Sequence, residues 1–285
     1  MAIVANGRTS LFSFFLGSCI LLIRILAFAN HQLTHFISDY KLPIFILYTA
    51  LTISIVLVRF RGAAFQVAIR GLLLGLVFGL SWWLILSDAT ARLFGWYLGV
   101  LSFFHWSEYF STALSNPRNL SLESYLLDHS REYHMAAFAS CAEFFLEFWL
   151  WPGMKHPGWI SYFGLILVTG GEVLRKLAMV TASSNFNHYV RHVREEGHVL
   201  ITHGIYGFSR HPAYVGWFYW SIGSQIMLCN PLCAVAYTIV SWKFFNFRIV
   251  DEEITLLNFF GEEYLDYQKR VGTGLPFIKG YRAEL

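Results

Sequence analysis

Charged residues are scarce in this chain. Only 14% of its 285 residues are Asp, Glu, Lys or Arg, whereas a soluble domain carries about 25%. Hydrophobic residues make up 56%, and the mean hydropathy is +0.48. The net charge of +3 also argues against nucleic-acid binding, which requires a concentrated basic face. The composition therefore predicts an all-α integral membrane protein.

Cysteine is also sparse. The four cysteines form no C-x-x-C pair, and their spacing matches no zinc motif. All of them fall in or beside apolar segments, so we expect buried free thiols, which fits a site that faces the reducing cytosol. We also expect no cleavable signal, because the apolar stretch 11–28 is followed by no small-residue cleavage site.

Apolar segments are what the sequence has in abundance. A spanning helix needs about 20 apolar residues, with about 17 as the lower limit. Two shorter segments are separated by Asn230-Pro231, a turn signal that predicts a tight helical hairpin. In total the sequence predicts about eight transmembrane helices, four of them in a domain of residues 1–130 and four in a domain of residues 131–285. The segments are 11–29, 42–58, 71–87, 93–113, 134–151, 159–181, 213–229 and 232–245.

Basic residues are distributed unevenly between the two faces that these segments define. Only Lys41, Arg92 and Lys155 fall on one face, and the other lysines and arginines of the connecting loops and termini fall on the opposite face. Because cytosolic loops carry the excess of Lys and Arg, we expect both termini to be cytosolic.

Small residues recur at four-residue intervals in two segments. Gly71, Gly75 and Gly79 share one face of the third segment, and Gly95 and Gly99 repeat the spacing in the fourth. This pattern is typical of close helix packing. It predicts contacts within the chain or at a dimer interface.

Several ionisable residues fall inside the predicted spans, where they are costly. Glu143 and Glu147 lie four residues apart and therefore on one helix face. We expect them to be paired inside the helix bundle, and contact with a substrate is the alternative. Arg24, Glu108 and Glu172 are in the same situation.

One polar stretch, 198–214, stands directly before the hairpin and gathers histidines, an arginine, two tyrosines and two glycines. Ahead of it, Ser183 or Ser184 is placed to cap a helix that runs to about Glu196 and stops at Gly197. His188 and His192 are four apart, but no acidic or cysteine ligand completes a zinc site. No metal is expected.

A second polar run follows the hairpin. Apolar residues between 249 and 267 recur at helical spacing, which predicts one helix ending near Gly272. Because a hairpin brings its two ends together, we expect the residues before it to meet those after it: Arg210, His211 and Tyr214 should lie near Arg248, Glu252 and Glu253. Arg248 and Glu252 are also four apart, and an ordinary helix ion pair worth about 0.3–0.5 kcal/mol is the simpler interpretation of that spacing alone.

The two polar runs together resemble a family of membrane methyltransferases. Residues 210–216 read RHPAYVG, and an EE-x-x-L run at 252–256 is followed by FG-x-x-Y-x-x-Y at 260–267. Within that superfamily the chain is most similar to the isoprenylcysteine carboxyl methyltransferases, through SNFNH at 184–188, RHPAYVGWFYWSIG at 210–223 and FFGEEYLDY at 259–267. The resemblance covers most of residues 130–285.

The resemblance implies a reaction and a location. A methyl group would pass from S-adenosylmethionine to the C-terminal prenylcysteine carboxylate of farnesylated or geranylgeranylated proteins such as small GTPases. The enzyme would lie in the endoplasmic reticulum membrane, with a cytosolic cofactor pocket formed by residues 182–212 and the C-terminal helix. Residues 131–285 would then be the methyltransferase core.

The resemblance also implies roles for individual residues. Arg248 occupies the position that recognises the substrate carboxylate, and we predict it as the catalytic residue. Arg191 departs from the family pattern, in which glutamine is expected at that position. The predicted cofactor-binding residues are Arg191, His198, Val199, Leu200, Ile201, Tyr206, His211, Pro212, Ala213, Tyr214 and Glu252.

The chemistry of the reacting groups agrees with this hypothesis. An α-carboxylate has a pKa near 3.3–3.7, so it is already nucleophilic at neutral pH and needs no general base. An arginine can grip it with its planar fork. Three alternatives remain open: a phospholipid N-methyltransferase, a sterol reductase that uses NADPH, and a non-enzymatic transporter built on Arg24, Glu108 and Glu143.

Overall fold

The computed structural model describes residues 3–27, 31–86, 89–128 and 130–282. Over these residues the chain is helical and contains no strand, which confirms the predicted all-α class. The α-helices in chain order are α1 Ala5–Ser18, α2 Ile20–Ala27, α3 His31–Asp39, α4 Lys41–Arg59, α5 Gly62–Ile85, α6 Ala89–Ser115, α7 Arg131–Leu150, α8 Trp159–Ala182, α9 Pro212–Met227, α10 Pro231–Phe260 and α11 Glu262–Arg270.

A helix stands at each of the eight predicted apolar segments. The first segment corresponds to α1 and α2, the last to the first half of α10, and the others to α4 through α9 in order. Residues 28, 29 and 87, at the ends of two predicted segments, lie outside the described residues. Among the described residues, three helical stretches are long and apolar enough to cross a membrane: Ala5–Leu26, Lys41–Arg59 and Gly62–Ile85. The count of about eight spans therefore stays a prediction.

The chain forms two compact units. The first comprises Met1–Leu114, Leu120–His129 and Trp151–Pro157. In it, α1 and α5 run parallel and very close together. The approach requires glycine, since a Cβ atom at Gly75 would collide with the carbonyl oxygen of Phe14. Likewise, a Cβ atom at Gly95 would lie 2.9 Å from the carbonyl oxygen of Ser81. The predicted role of these glycines in close helix packing is therefore confirmed within the chain.

The second unit comprises Ser115–Asn119, Ser130–Leu150 and Gly158–Leu285. Here α8 and α9 run antiparallel in close contact, because a Cβ atom at Gly164 would collide with the backbone of Met227, and one at Gly171 would lie 2.5 Å from the carbonyl oxygen of Gly216. The end of α8 therefore lies beside the start of α9. Both ends of the intervening polar segment, residues 183–211, are thus fixed at the same end of the helix pair.

The predicted hairpin joins α9 to α10 at Asn230. The Asn230 side chain donates to the carbonyl oxygen of Ser140 (2.9 Å). The two carboxylate oxygens of Glu143 accept from the backbone N–H groups of Leu232 (2.7 Å) and Cys233 (2.6 Å). Both N–H groups belong to the first turn of α10, where the helix itself supplies no carbonyl acceptor. The pairing expected for Glu143 is confirmed, and its partner is a helix N-terminus.

Replacing Glu143 with alanine is expected to destabilise the protein by about 3 kcal/mol, because hydrogen bonds to a charged group contribute roughly 1.5–3 kcal/mol each. The unfolding temperature in detergent would measure the loss. Glu132→Ala, which removes an exposed carboxylate from the first turn of α7, is the matched control and should change that temperature far less. Equal shifts in the two variants would refute the capping role.

Two predicted helices were wrong in extent. The helix expected from Ser183 or Ser184 to Glu196 is a single 3₁₀ turn, Ser183–Asn185, followed by irregular chain. The Asn187 side chain accepts from the backbone N–H of Tyr189 (3.1 Å), a local bond that competes with helix formation. The helix expected to run to Gly272 is also interrupted, because Gly261, with φ +53°, ends α10 before α11 begins.

Candidate active site

The irregular segment after α8 is held in place by side chains. Asn116 donates to the carbonyl oxygen of Phe186 (2.9 Å), and the side-chain oxygen of Asn185 accepts from the backbone N–H of Val199 (2.9 Å). Arg248 donates to the carbonyl oxygen of His188 (2.6 Å). These bonds replace the partners that a helix would give to the backbone. The segment therefore forms a defined wall.

A buried ion pair joins the start of α9 to α10. The Nε atom of Arg210 lies 2.8 Å from Oε1 of Glu253, and the two side chains are 5% and 0% exposed. The Arg210 guanidinium also donates to the carbonyl oxygens of Gln268, Val271 and Lys279. Glu253 accepts from the Tyr264 hydroxyl, the Gln268 amide and the backbone N–H of Tyr281. The pair thus fastens the chain after α11 against the start of α9.

His211 lies between two carboxylates. Its Nε2 atom is 3.1 Å from Oε1 of Glu253, and its Nδ1 atom is 3.5 Å from Oε2 of Glu252. Burial alone would lower the pKa of His211, but the hydrogen bonds and negative charges of the two glutamates outweigh it and raise the pKa to about 9. The ring is therefore an imidazolium at neutral pH.

Glu252 is ionised and has an unused acceptor. Burial favours its protonated form, but His211, the Tyr214 hydroxyl and the charge of Arg248 outweigh burial and lower the pKa of Glu252. Its Oε2 atom is buried and is ion-paired with Nδ1 of His211 at 3.5 Å, but within the described residues it accepts no hydrogen bond. A buried carboxylate oxygen of this kind needs a donor. A ligand that brings an ammonium group or hydroxyls would supply one.

The charge on His211 predicts a pH-dependent stability. Because the folded-state pKa of about 9 lies above the ordinary 6.5, the stabilising contribution is complete below pH 6.5 and is lost as the pH rises through about 9. We expect a loss on the order of 3 kcal/mol over that interval.

The measurement is the unfolding temperature as a function of pH for the wild type and for His211→Gln. In His211→Gln the unfolding temperature should fall less steeply with rising pH. The two plots of unfolding temperature against pH should therefore approach each other above about pH 9. His203→Gln, at an exposed histidine, should keep the wild-type slope. Parallel curves for the wild type and His211→Gln would contradict the assignment.

One cavity in the second unit is lined by Arg210, His211 and Glu252. Every residue predicted to bind the cofactor is in its wall, from Arg191 through the 198–201 run and Tyr206 to the 211–214 run and Glu252. Arg191 lies at an exposed position and pairs with Glu195 (3.1 Å). The side chain of His198 packs with its edge toward the rings of Phe259 and Phe260.

The wall also contains residues that were not predicted individually, although several of them fall in the segment 182–212 that was expected to form the pocket. Several lie on the face of α10 that continues from Glu252 at helical spacing, so the periodicity of that helix could have identified them. Others lie in the irregular segment, whose conformation was predicted wrongly. The additional lining residues are Ala182, Asn185, Phe186, Asn187, Tyr189, Arg210, Thr255, Leu256, Phe259, Phe260, Tyr264 and Tyr267.

Arg248 stands apart from the other predicted site residues, because it does not belong to the cavity wall. It lies one helical turn before Glu252, where its Nε atom donates to the Tyr214 hydroxyl (3.3 Å) and its Nη2 atom to the carbonyl oxygen of His188. Within the described residues its Nη1 atom makes no hydrogen bond. Arg248 therefore supports two parts of the wall and keeps donors for a further anion.

Comparisons with a family profile, with curated sequences and with solved structures all lead to the same family. The sequence profile of the isoprenylcysteine carboxyl methyltransferase family matches residues 163–258. The protein-S-isoprenylcysteine O-methyltransferases of Xenopus laevis and Homo sapiens are 47% and 48% identical, over 99% of this chain and 98% and 96% of their own lengths. A solved structure, that of the eukaryotic intramembrane Ras methyltransferase (isoprenylcysteine carboxyl methyltransferase), superimposes with a TM-score of 0.91 at 43% identity and covers 98% of this chain and 99% of its own. The chain therefore belongs to the isoprenylcysteine carboxyl methyltransferase family.

Proposed function

We propose that the protein transfers a methyl group from S-adenosylmethionine to the C-terminal prenylcysteine carboxylate of farnesylated or geranylgeranylated proteins, forming a methyl ester. Small GTPases are the expected class of substrate protein. The observation that carries the proposal is one cavity wall in which the RHP and EE motif residues meet, in a chain of this family. The named relatives favour this activity over the phospholipid N-methyltransferase, sterol reductase and transporter alternatives.

The cavity fits the cofactor chemically. The buried Oε2 atom of Glu252 would accept from the amino group or the ribose hydroxyls, and the backbone of residues 198–201 would contribute further polar contacts. His211 keeps the Glu252 carboxylate ionised and oriented. When bound, S-adenosylmethionine supplies an electrophilic methyl group. The protein's task is to hold it, align the acceptor and exclude water.

The acceptor carboxylate must be oriented by the protein, but it needs no general base to become nucleophilic. A prenylcysteine α-carboxylate is ionised at neutral pH because its pKa is near 3.3–3.7. Arg248 would bind that carboxylate with the donors that His188 and Tyr214 leave free, and this is the basis for its assignment as the catalytic residue. Because Arg248 and Glu252 are one turn apart on α10, the helix itself would set the distance between acceptor and cofactor.

The active-site cavity would lie at the interface between the membrane and the cytosol. We propose about eight spanning helices, four in residues 1–130 and four in the core of residues 131–285, with the cavity and both termini cytosolic in the endoplasmic reticulum membrane. A prenyl chain dissolves in lipid, whereas S-adenosylmethionine is polar and cytosolic. A site at the interface serves both molecules.

The activity is tested by methyl transfer from radiolabelled S-adenosylmethionine in membranes that contain the full chain. We expect base-labile methyl esters on N-acetyl-farnesylcysteine and no transfer to phosphatidylethanolamine. Glu252→Ala serves as the low-activity control. Transfer to the lipid amine alone would overturn the proposal, and so would an absence of transfer from a folded protein.

A further inference from the structure

A second cavity lies in the first unit, where three arginines come together. Arg8, Arg59 and Arg61 line it, and each has an exposed side chain. Among the described residues, none that lines it is acidic. The other lining residues are Ala5, Thr9, Phe12, Phe60 and Ala64.

The cavity stands where three membrane-length helical stretches meet. The stretch Ala5–Leu26 begins beside it, Lys41–Arg59 ends at it and Gly62–Ile85 begins at it. Since each stretch is long and apolar enough to cross the hydrocarbon core, their shared end falls at the level of the lipid headgroups. α1 and α5 have no acidic residue in their first turns.

The positive charge of these arginines is not neutralised within the described part of the chain. Arg59 lies over the ring of Phe60 at 5.5 Å, and Arg61 donates to the carbonyl oxygen of Phe60 (3.3 Å). None of the three arginines forms an ion pair with a described carboxylate, unlike Arg191 with Glu195 or Lys269 with Asp266. Three like charges around one cavity repel one another. A bound anion would remove that cost.

The residues at the rim of the cavity indicate which class of anion would bind there. Phe12 lines the cavity and is 49% exposed, and Phe60 is a second aromatic residue in its wall. Apolar side chains at the mouth of a basic cavity fit acyl chains that extend from a charged headgroup. We propose that this cavity binds the phosphate headgroup of an anionic phospholipid, with Arg8, Arg59 and Arg61 as its ligands.

The test uses the purified full chain in neutral detergent, titrated with a fluorescent short-chain phosphatidic acid. Each arginine near a lipid phosphate contributes about 1 kcal/mol, which corresponds to about fivefold in affinity. Each single variant Arg8→Gln, Arg59→Gln or Arg61→Gln should therefore lose about fivefold, and the triple variant about a hundredfold. The matched control replaces the exposed Arg118, Arg131 and Arg270 with glutamine and should stay within about twofold of the wild type.

Two further arms identify the source of the phosphate. Phosphatidylcholine vesicles should compete weakly, and inorganic phosphate should compete only at far higher concentration, because it lacks acyl chains. Competition by inorganic phosphate as strong as that by the lipid would overturn the assignment to a lipid. Equal losses in the cavity variants and the control variant would overturn the site itself. Unfolding temperatures of the single variants close to that of the wild type would show that these variants keep the fold.

Discussion

Glu252→Ala is expected to weaken the binding of S-adenosylmethionine by about 10- to 100-fold. The variant loses one charge-assisted hydrogen bond, which contributes about 1.5–3 kcal/mol. Since about 1.4 kcal/mol corresponds to a factor of ten in affinity, this loss accounts for the expected change. The physical basis is the buried Oε2 atom, for which the described residues supply no hydrogen bond. Calorimetric titration of the purified protein measures the dissociation constant directly.

The same variant should raise the KM for the cofactor and leave the KM for N-acetyl-farnesylcysteine nearly unchanged. Glu252→Gln keeps the shape but removes the charge, so its affinity should fall between those of the wild type and Glu252→Ala. Glu262→Ala, at an exposed position in the first turn of α11, is the control and should bind normally. Normal cofactor affinity in a folded Glu252→Ala protein would refute the role of this carboxylate.

Much of this site could be predicted because the relevant information is local. Each apolar run is long enough to be a helix, so the predicted segment 42–58 falls inside α4, Lys41–Arg59. The motif residues are local too, and a hairpin must return α10 to the start of α9. That topology alone brings His211 to Glu252, whose paired atoms are 3.5 Å apart.

The parts that could not be predicted depend on contacts between distant residues. The segment after α8 has caps and composition suited to a helix, but Asn116 binds a carbonyl oxygen 70 positions away and Arg248 binds another 60 positions away. The hairpin also predicts that Glu253 lies near Arg210 and His211, and the structure confirms this. Its complete burial could not be predicted, because Tyr264 and Gln268 reach it from α11 and Tyr281 reaches it from the chain after α11.

Arg248→Ala is expected to lower kcat/KM for N-acetyl-farnesylcysteine by roughly 100- to 1,000-fold, with the binding of S-adenosylmethionine largely kept. Binding of the acceptor carboxylate by a planar guanidinium is worth roughly 3–4 kcal/mol when two charged hydrogen bonds are lost together. Arg248→Lys should recover only part of the activity, because an ammonium group cannot form the fork. Lys243→Ala, at an exposed position on the same helix, should remain near the wild type.

The structure also permits a competing explanation, in which Arg248 acts only by holding the wall. Its Nε atom donates to the Tyr214 hydroxyl, so Tyr214→Phe removes that contact and leaves the guanidinium in place. If Arg248 binds the acceptor carboxylate, Tyr214→Phe should raise the KM for N-acetyl-farnesylcysteine far less than Arg248→Ala does. If the two variants raise that KM equally, or if Arg248→Ala abolishes cofactor binding, Arg248 is a positioning residue. Because its Nη1 atom is still available as a donor, we expect the first result.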